Sequence, residues 1–241
     1  MKCFFINYIK KILMKCNNNI LEQIAETNEF ILKEPTINET SIIFDWDDTL
    51  LCSSWLSSKG LDIYSDILNE DKLLLDDYAN SVYNILETAL SCGTVTIITN
   101  AQIGWVEISC KKFIPCVSHI LDRIKIISAR STFEKIYPDS PGIWKELAFA
   151  HEIALQYSDH KLQSRKNLIS LGDSIYERLA IHKYGEMCKA NYIKSVKFVE
   201  NPTIEQLKYQ IKHINFYLVE ICKRTEHLDL MLIIEFINSK N

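Results

Sequence analysis

Ile42-Ile43-Phe44-Asp45-Trp46-Asp47-Asp48-Thr49-Leu50 is the stretch whose reading decides the fold. An apolar run stops at two carboxylates one residue apart, and Thr49 comes two residues after the second. Along a strand alternate side chains point to opposite faces. At its end the chain curls, so Asp45 and Asp47 can both turn toward one point. Two carboxylates there can hold a hard divalent cation and still leave one oxygen to attack phosphorus. That is the minimal equipment for phosphoryl transfer through an aspartyl-phosphate.

Outward from this stretch, apolar runs of strand length alternate with segments of helical period. Strands are expected at residues 41–45, 95–99, 124–128, 167–171 and 196–199. Helices are expected at 18–33, at 71–92 with Leu74, Tyr78, Val82, Ile85, Leu86 and Ala89 on one face, at 105–112, from 141 to about 160, and at 203–224. Gly93 stands where a helix cap belongs. Strand-helix alternation means βα units around a parallel sheet. The expected fold is a Rossmann-like three-layer α/β/α sandwich with a mostly parallel five-stranded sheet. In such sheets ligands sit beyond the carboxyl ends of the strands, and Asp45, Thr99 and Asp173 each fall at such an end.

The chain has 241 residues, enough for one full core plus trimmings. A net charge of −4 gives no electrostatic footprint for nucleic acid. Eight cysteines, without CxxC or zinc-type spacing, read as reduced thiols of a cytoplasmic or nuclear protein. No apolar run reaches the roughly 18 residues of a membrane helix. Residues 1–16 carry Lys2, Lys10, Lys11 and Lys15 without arginine or a small-residue cleavage site, so a peripheral leader is expected rather than a targeting peptide. The division expected is 1–38 as leader and helix, 39–202 as the core with a flap or minimal cap at 52–70, and 203–241 as a closing helix and apolar tail. In that helix Ile204, Leu207, Ile211, Ile214, Leu218 and Ile221 form one stripe. It is expected to pack on its own sheet, with a dimer face as the rival.

Four motifs occur in order: Asp45-Trp46-Asp47-Asp48-Thr49, then Thr99-Asn100 after an apolar strand, then Lys145, then Gly172-Asp173-Ser174 with Glu177. Over residues 40–200 the chain resembles the haloacid dehalogenase-like superfamily in its phosphatase branch. The resemblance implies a bound Mg²⁺, with Asp45 as nucleophile and Asp47 as acid and base. Asp45, the Asp47 main-chain carbonyl and Asp173 would be metal ligands. Glu177 and Thr49 would support them from behind. Thr99, Asn100 and Lys145 would bind the phosphoryl oxygens, with Lys135 as a rival to Lys145. Trp46 is expected to point into packing and His151 to be structural.

Fifty-three residues separate Asp45 from Thr99 and forty-five separate Thr99 from Lys145, leaving little room for a lid at either place. An open site favours a phosphorylated macromolecule, most simply a phosphoprotein, over a small metabolite. Trp55 and the residues to Leu61 are expected to wall the entrance. The competing readings are a small-metabolite or nucleotide phosphatase and a catalytically idle binding protein of the same fold. A polynucleotide phosphatase would need a basic channel, with Lys111, Lys112, Arg123 and Lys125 as its candidates.

Overall fold

The computed structural model describes residues 34–157 and 166–233. Glu34–Leu232 cluster as one compact unit. The helix expected at 18–33, the leader, and the tail from 234 lie outside the described residues.

Six parallel strands form one sheet: β1 (Thr40–Phe44), β2 (Thr94–Thr99), β3 (Lys125–Ser128), β4 (Asn167–Gly172), β5 (Tyr192–Lys197) and β6 (Leu228–Met231), in the order 3-2-1-4-5-6. The first two connections run outward from β1 in one direction, and the chain then crosses to β4 on its other side. The carboxyl ends of β1 and β4 therefore flank the point where strand order reverses, where open α/β sheets form their crevice. The ends are tied there: the Asp45 amide donates to the Leu171 carbonyl at 2.9 Å.

β1 is buried on both faces, as its unbroken apolar run requires. Ile43, with Ile98, Leu168 and Ile193, packs against Trp144, Phe149 and Ile153 of α6 (Pro141–Gln156) and Ala180 and Ile181 of α7 (Ile175–Met187). The helices α2 (Asn69–Cys92) and α8 (Ile204–Lys223) pack closely on each other. The shorter helices are α1 (Ser53–Ser58), α3 (Trp105–Phe113), α4 (Ser118–Leu121) and α5 (Ala129–Phe133). No large cap is inserted. Between β1 and α2 there is only α1 and an irregular stretch to Leu68, and between β2 and α6 only α3, α4, β3, α5 and turns.

Three features differ from the expectation. First, the buried stripe of α2 runs through Leu75, Tyr78, Ala79, Val82, Ile85, Leu86 and Ala89, whereas Leu74 is 40 % exposed. Leu74 is one position, about 100° of helix rotation, off that stripe. Second, β5 begins at Tyr192, four residues before the expected start. Lys194 breaks the apolar pattern in sequence, yet it is wholly buried. Its ammonium donates to the carbonyls of Ile221 at 2.7 Å, Cys222 at 3.0 Å and Arg224 at 2.7 Å. It thus caps the C-terminus of α8, where a cation meets carbonyls left without helical partners, and burial pulls its pKa down to about 8.

Third, the apolar tail supplies a sixth strand where five were expected. β6 pairs with β5 from Lys194↔Leu228 to Lys197↔Met231. Asp229 sits within it, bridged by Arg178 of α7 and bonded by the Ser195 hydroxyl at 2.5 Å. The α8 stripe from Ile204 to Ile221 is at most 4 % exposed and is consumed inside this unit.

Candidate functional site

Asp45 leaves β1 and Asp173 leaves β4, so adjacent parallel strands deliver two carboxylates to one edge. Ser174 then caps α7, accepting from the Tyr176 amide at 3.0 Å, and Glu177 reaches back to the Ser174 amide at 3.2 Å and its hydroxyl at 2.6 Å. This capping box turns Glu177 inward, 2 % exposed. Carboxylate oxygens of Asp45, Asp173 and Glu177 all lie within 4.8 Å of one another.

Lys145, from the second turn of α6, is 1 % exposed. Its ammonium contacts Asp45 at 2.6 Å, Glu177 at 2.8 Å and the Ile98 carbonyl at 2.6 Å. Its rival, Lys135, is exposed. Three carboxylates thus face one ammonium, a formal excess of two negative charges. Burial sets the titration of the cluster first, and that imbalance adds to it. Burial, against the pull of Lys145, raises Asp45 to about 7. Burial and then the charges of Asp45 and Glu177 raise Asp173 to about 8. Burial works against an ionised Glu177, but Lys145 outweighs it and the net shift is downward. Burial also works against a charged Lys145, and its two acidic neighbours outweigh it upward.

The donor set fits a hard divalent cation. It is all oxygen, it is partly withdrawn from water, and its charge excess matches one such ion. Both Glu177 oxygens are already engaged, one by Lys145 and one by Ser174, whereas no hydrogen bond holds the Asp173 carboxylate among the described residues. Asp45 and Asp173 are therefore the freer ligands, and Glu177 steadies Lys145. The Lys197 ammonium holds the Asp173 main chain through its carbonyl at 2.8 Å.

Comparison with protein-family models, with curated proteins and with solved structures finds no match to this chain. The structure itself shows a parallel α/β fold of six strands with a cluster of acids at one edge of the sheet.

The other expected residues lie around this edge. Asp47 accepts from the Trp105 indole at 3.0 Å, and its pKa is raised because burial exceeds that hydrogen bond. Thr99 is 1 % exposed and its oxygen accepts from the Ala101 amide at 2.9 Å, which leaves its hydroxyl proton uncommitted. The Asn100 side-chain nitrogen is committed to the Pro141 carbonyl at 3.2 Å, and its buried side-chain oxygen has no partner. Thr49 is fully buried with an unpartnered hydroxyl. Trp46 points into the core and donates to the Ser109 hydroxyl at 3.0 Å. His151 is exposed on α6.

Two contributors were not legible as site residues in the sequence. Trp105 was visible only as a helix start. Asp48, the third acid of the first motif, has φ 51° and organises the start of α1. Its carboxylate accepts from the Ser54 amide at 2.8 Å and from the Ser53 and Ser54 hydroxyls, so it anchors α1 beside Asp47. Repetition of acids in the Asp47-Asp48 pair was the only signal. Of the residues proposed for a basic channel, Lys112 is bonded to the Ser65 carbonyl, Arg123 to Glu87 and Lys125 to Glu152. Among the described residues no helix is long and apolar enough to cross a membrane.

Proposed function

We propose that this protein is a Mg²⁺-dependent phosphomonoesterase working through an aspartyl-phosphate on Asp45. The observation that carries this reading is the meeting of Asp45, Asp173, Glu177 and Lys145 at the switch point of the sheet. Asp45 and Asp173, with the Asp47 main-chain carbonyl, would hold the cation. When bound, it supplies the positive charge that lets a carboxylate and a phosphate dianion approach.

Asp45 attacks phosphorus with the carboxylate oxygen that Lys145 leaves free. The P–O bond to the leaving alcohol breaks, and Asp47, protonated at the start, gives that oxygen its proton. Asp47 then takes a proton from water, whose oxygen attacks phosphorus and returns Asp45 as a carboxylate with release of phosphate. The raised pKa of Asp47 suits an acid that must be protonated in one half of the cycle and ionised in the other. Thr99 would donate its free hydroxyl proton to a phosphoryl oxygen. Asn100 would contribute its main-chain amide, since its side-chain nitrogen is already engaged. Lys145 would offset the charge of the transition state and pull Asp45 toward its ionised form.

Residues 39–202 would carry this chemistry, and α8 and β6 would close the core. The small α1 flap leaves an edge that a phosphoprotein could reach. A second reading, a small-molecule phosphatase, is favoured by a specific observation: a cavity opens directly beside Asp47. The test is turnover of an aryl phosphate with Mg²⁺. Asp45→Asn should lower it about a thousandfold or more, and chelation should abolish it reversibly. Wild-type rates in Asp45→Asn would overturn the proposal. Mg²⁺ binding without turnover of any phosphoester would favour the idle binding protein.

A further inference from the structure

The cavity beside Asp47 has a volume of about 670 Å³, within the roughly 300–1,000 Å³ of small-molecule sites. α1 forms one side with Ser53, Ser54, Trp55, Ser57 and Ser58, and Asn201, Pro202 and Thr203 form the other. The two sides are joined where the Asn201 side-chain amide meets the Ser54 hydroxyl at 3.1 Å. Asp48 holds the α1 side in place. Asp47, the group assigned to protonate the leaving oxygen, lines the cavity, so the cavity is where the alcohol portion of a substrate would lie.

Its chemistry is specific. Among the described residues no lysine or arginine lines it, and Asp47 is its one charged group. Lys59, 5.5 Å from the Trp55 ring, is itself paired with Asp71 at 3.0 Å. A second phosphate or a carboxylate on the substrate would meet no cation there to offset its charge. The lining instead offers neutral hydrogen-bonding groups over an apolar base of Trp55 and Pro202. Most are engaged: Ser58 donates to the Trp55 carbonyl at 2.7 Å, and the Thr203 oxygen caps α8. The Ser57 hydroxyl and the second polar atom of the Asn201 side-chain amide make no hydrogen bond among the described residues, and both residues are exposed at the cavity.

We infer that this cavity is the leaving-group site for an uncharged, hydroxyl-bearing alcohol, so that the substrate is a sugar or polyol monophosphate. The inference rests on the phosphomonoesterase reading and goes beyond it by naming the alcohol. Ser57 and Asn201 are its specificity-determining residues, each able to bond a substrate hydroxyl. An isolated hydroxyl contact is worth about a factor of ten in affinity.

The test uses the full chain carrying Asp45→Asn, with Mg²⁺, and measures calorimetrically the binding of a hexose monophosphate, glycerol phosphate, a nucleoside monophosphate, a phosphoserine peptide and inorganic phosphate. The hexose and glycerol phosphates should bind about tenfold or more tighter than inorganic phosphate. Adding Ser57→Leu should remove about tenfold of that preference and leave inorganic phosphate binding unchanged. In the catalytically intact chain, Ser57→Leu and Asn201→Ala should raise KM for the polyol substrate more than they lower kcat. Equal binding of hexose phosphate and inorganic phosphate, or tighter binding of the peptide or nucleotide, overturns the inference. Aryl phosphate turnover that is lost in Asp45→Asn would still leave the phosphomonoesterase reading standing, so the two failures are separable.

Discussion

Lys145 and Asp45, one hundred residues apart in the chain, meet at 2.6 Å in a site that leaves the lysine 1 % exposed. The same ammonium reaches Glu177 at 2.8 Å, so one cation from α6 serves acids that lie beyond β1 and β4. Removing it would leave two buried carboxylates without their partner, and breaking a buried pair in this way costs about 3–5 kcal/mol. Lys145→Met should therefore lower the midpoint of thermal unfolding as well as abolish turnover. Mg²⁺ should recover part of the lost stability. A variant as stable as the parent would show that the pair contributes nothing.

Gly172 precedes Asp173 with no room for a side chain. A Cβ placed there would lie 2.6 Å from the Cγ of Glu177, which is itself buried. Gly172→Ala should push Glu177 off Lys145 and cost about 1–3 kcal/mol. Chemical denaturation and turnover should both report the loss. A neutral substitution would mean that Glu177 is free to move.

The metal-free site should respond to pH in a definite direction. Asp45 at about 7 and Asp173 at about 8 lie above the ordinary carboxylate value of 3.8. Between about pH 4 and pH 8 the folded chain therefore holds protons that the unfolded chain has released, and stability without metal falls as pH rises through that window. A cation must displace those protons, so its binding strengthens with pH. The rise in Tm on adding Mg²⁺ should be larger at about pH 8.5 than at about pH 6. Equal rises at both would contradict the charge account.

Trp105 gives a separate handle on Asp47. Burial raises the Asp47 pKa, and the indole hydrogen bond at 3.0 Å restrains the rise. Trp105→Phe removes that donor and keeps an aromatic side chain at the position. The limb of the pH–rate profile assigned to Asp47 should move to higher pH, and an unmoved profile would remove Asp47 from the mechanism.

The sheet and the four motifs were legible because apolar runs and strand-end acids are local signals. β1, β2 and β4 differ from their expected bounds by one residue. What escaped depended on contacts distant in sequence. Lys194 disguised β5, since its charge is satisfied only by the end of α8, twenty-seven or more residues away. β6 was hidden because a four-residue strand with an acid in it becomes a strand only through Arg178 and Ser195. At the site, Lys145 was the weakest of the motif assignments. A lysine early in a helix is ordinarily solvated, and only the fold reveals that this one is enclosed by Asp45 and Glu177.

The most direct measurement is the position of a divalent cation. Crystals grown with Mn²⁺ would show it by anomalous scattering. A single peak in contact with the side chains of Asp45 and Asp173 is the predicted result. A peak elsewhere, or none at these two residues under saturating Mn²⁺, would contradict the account at its base.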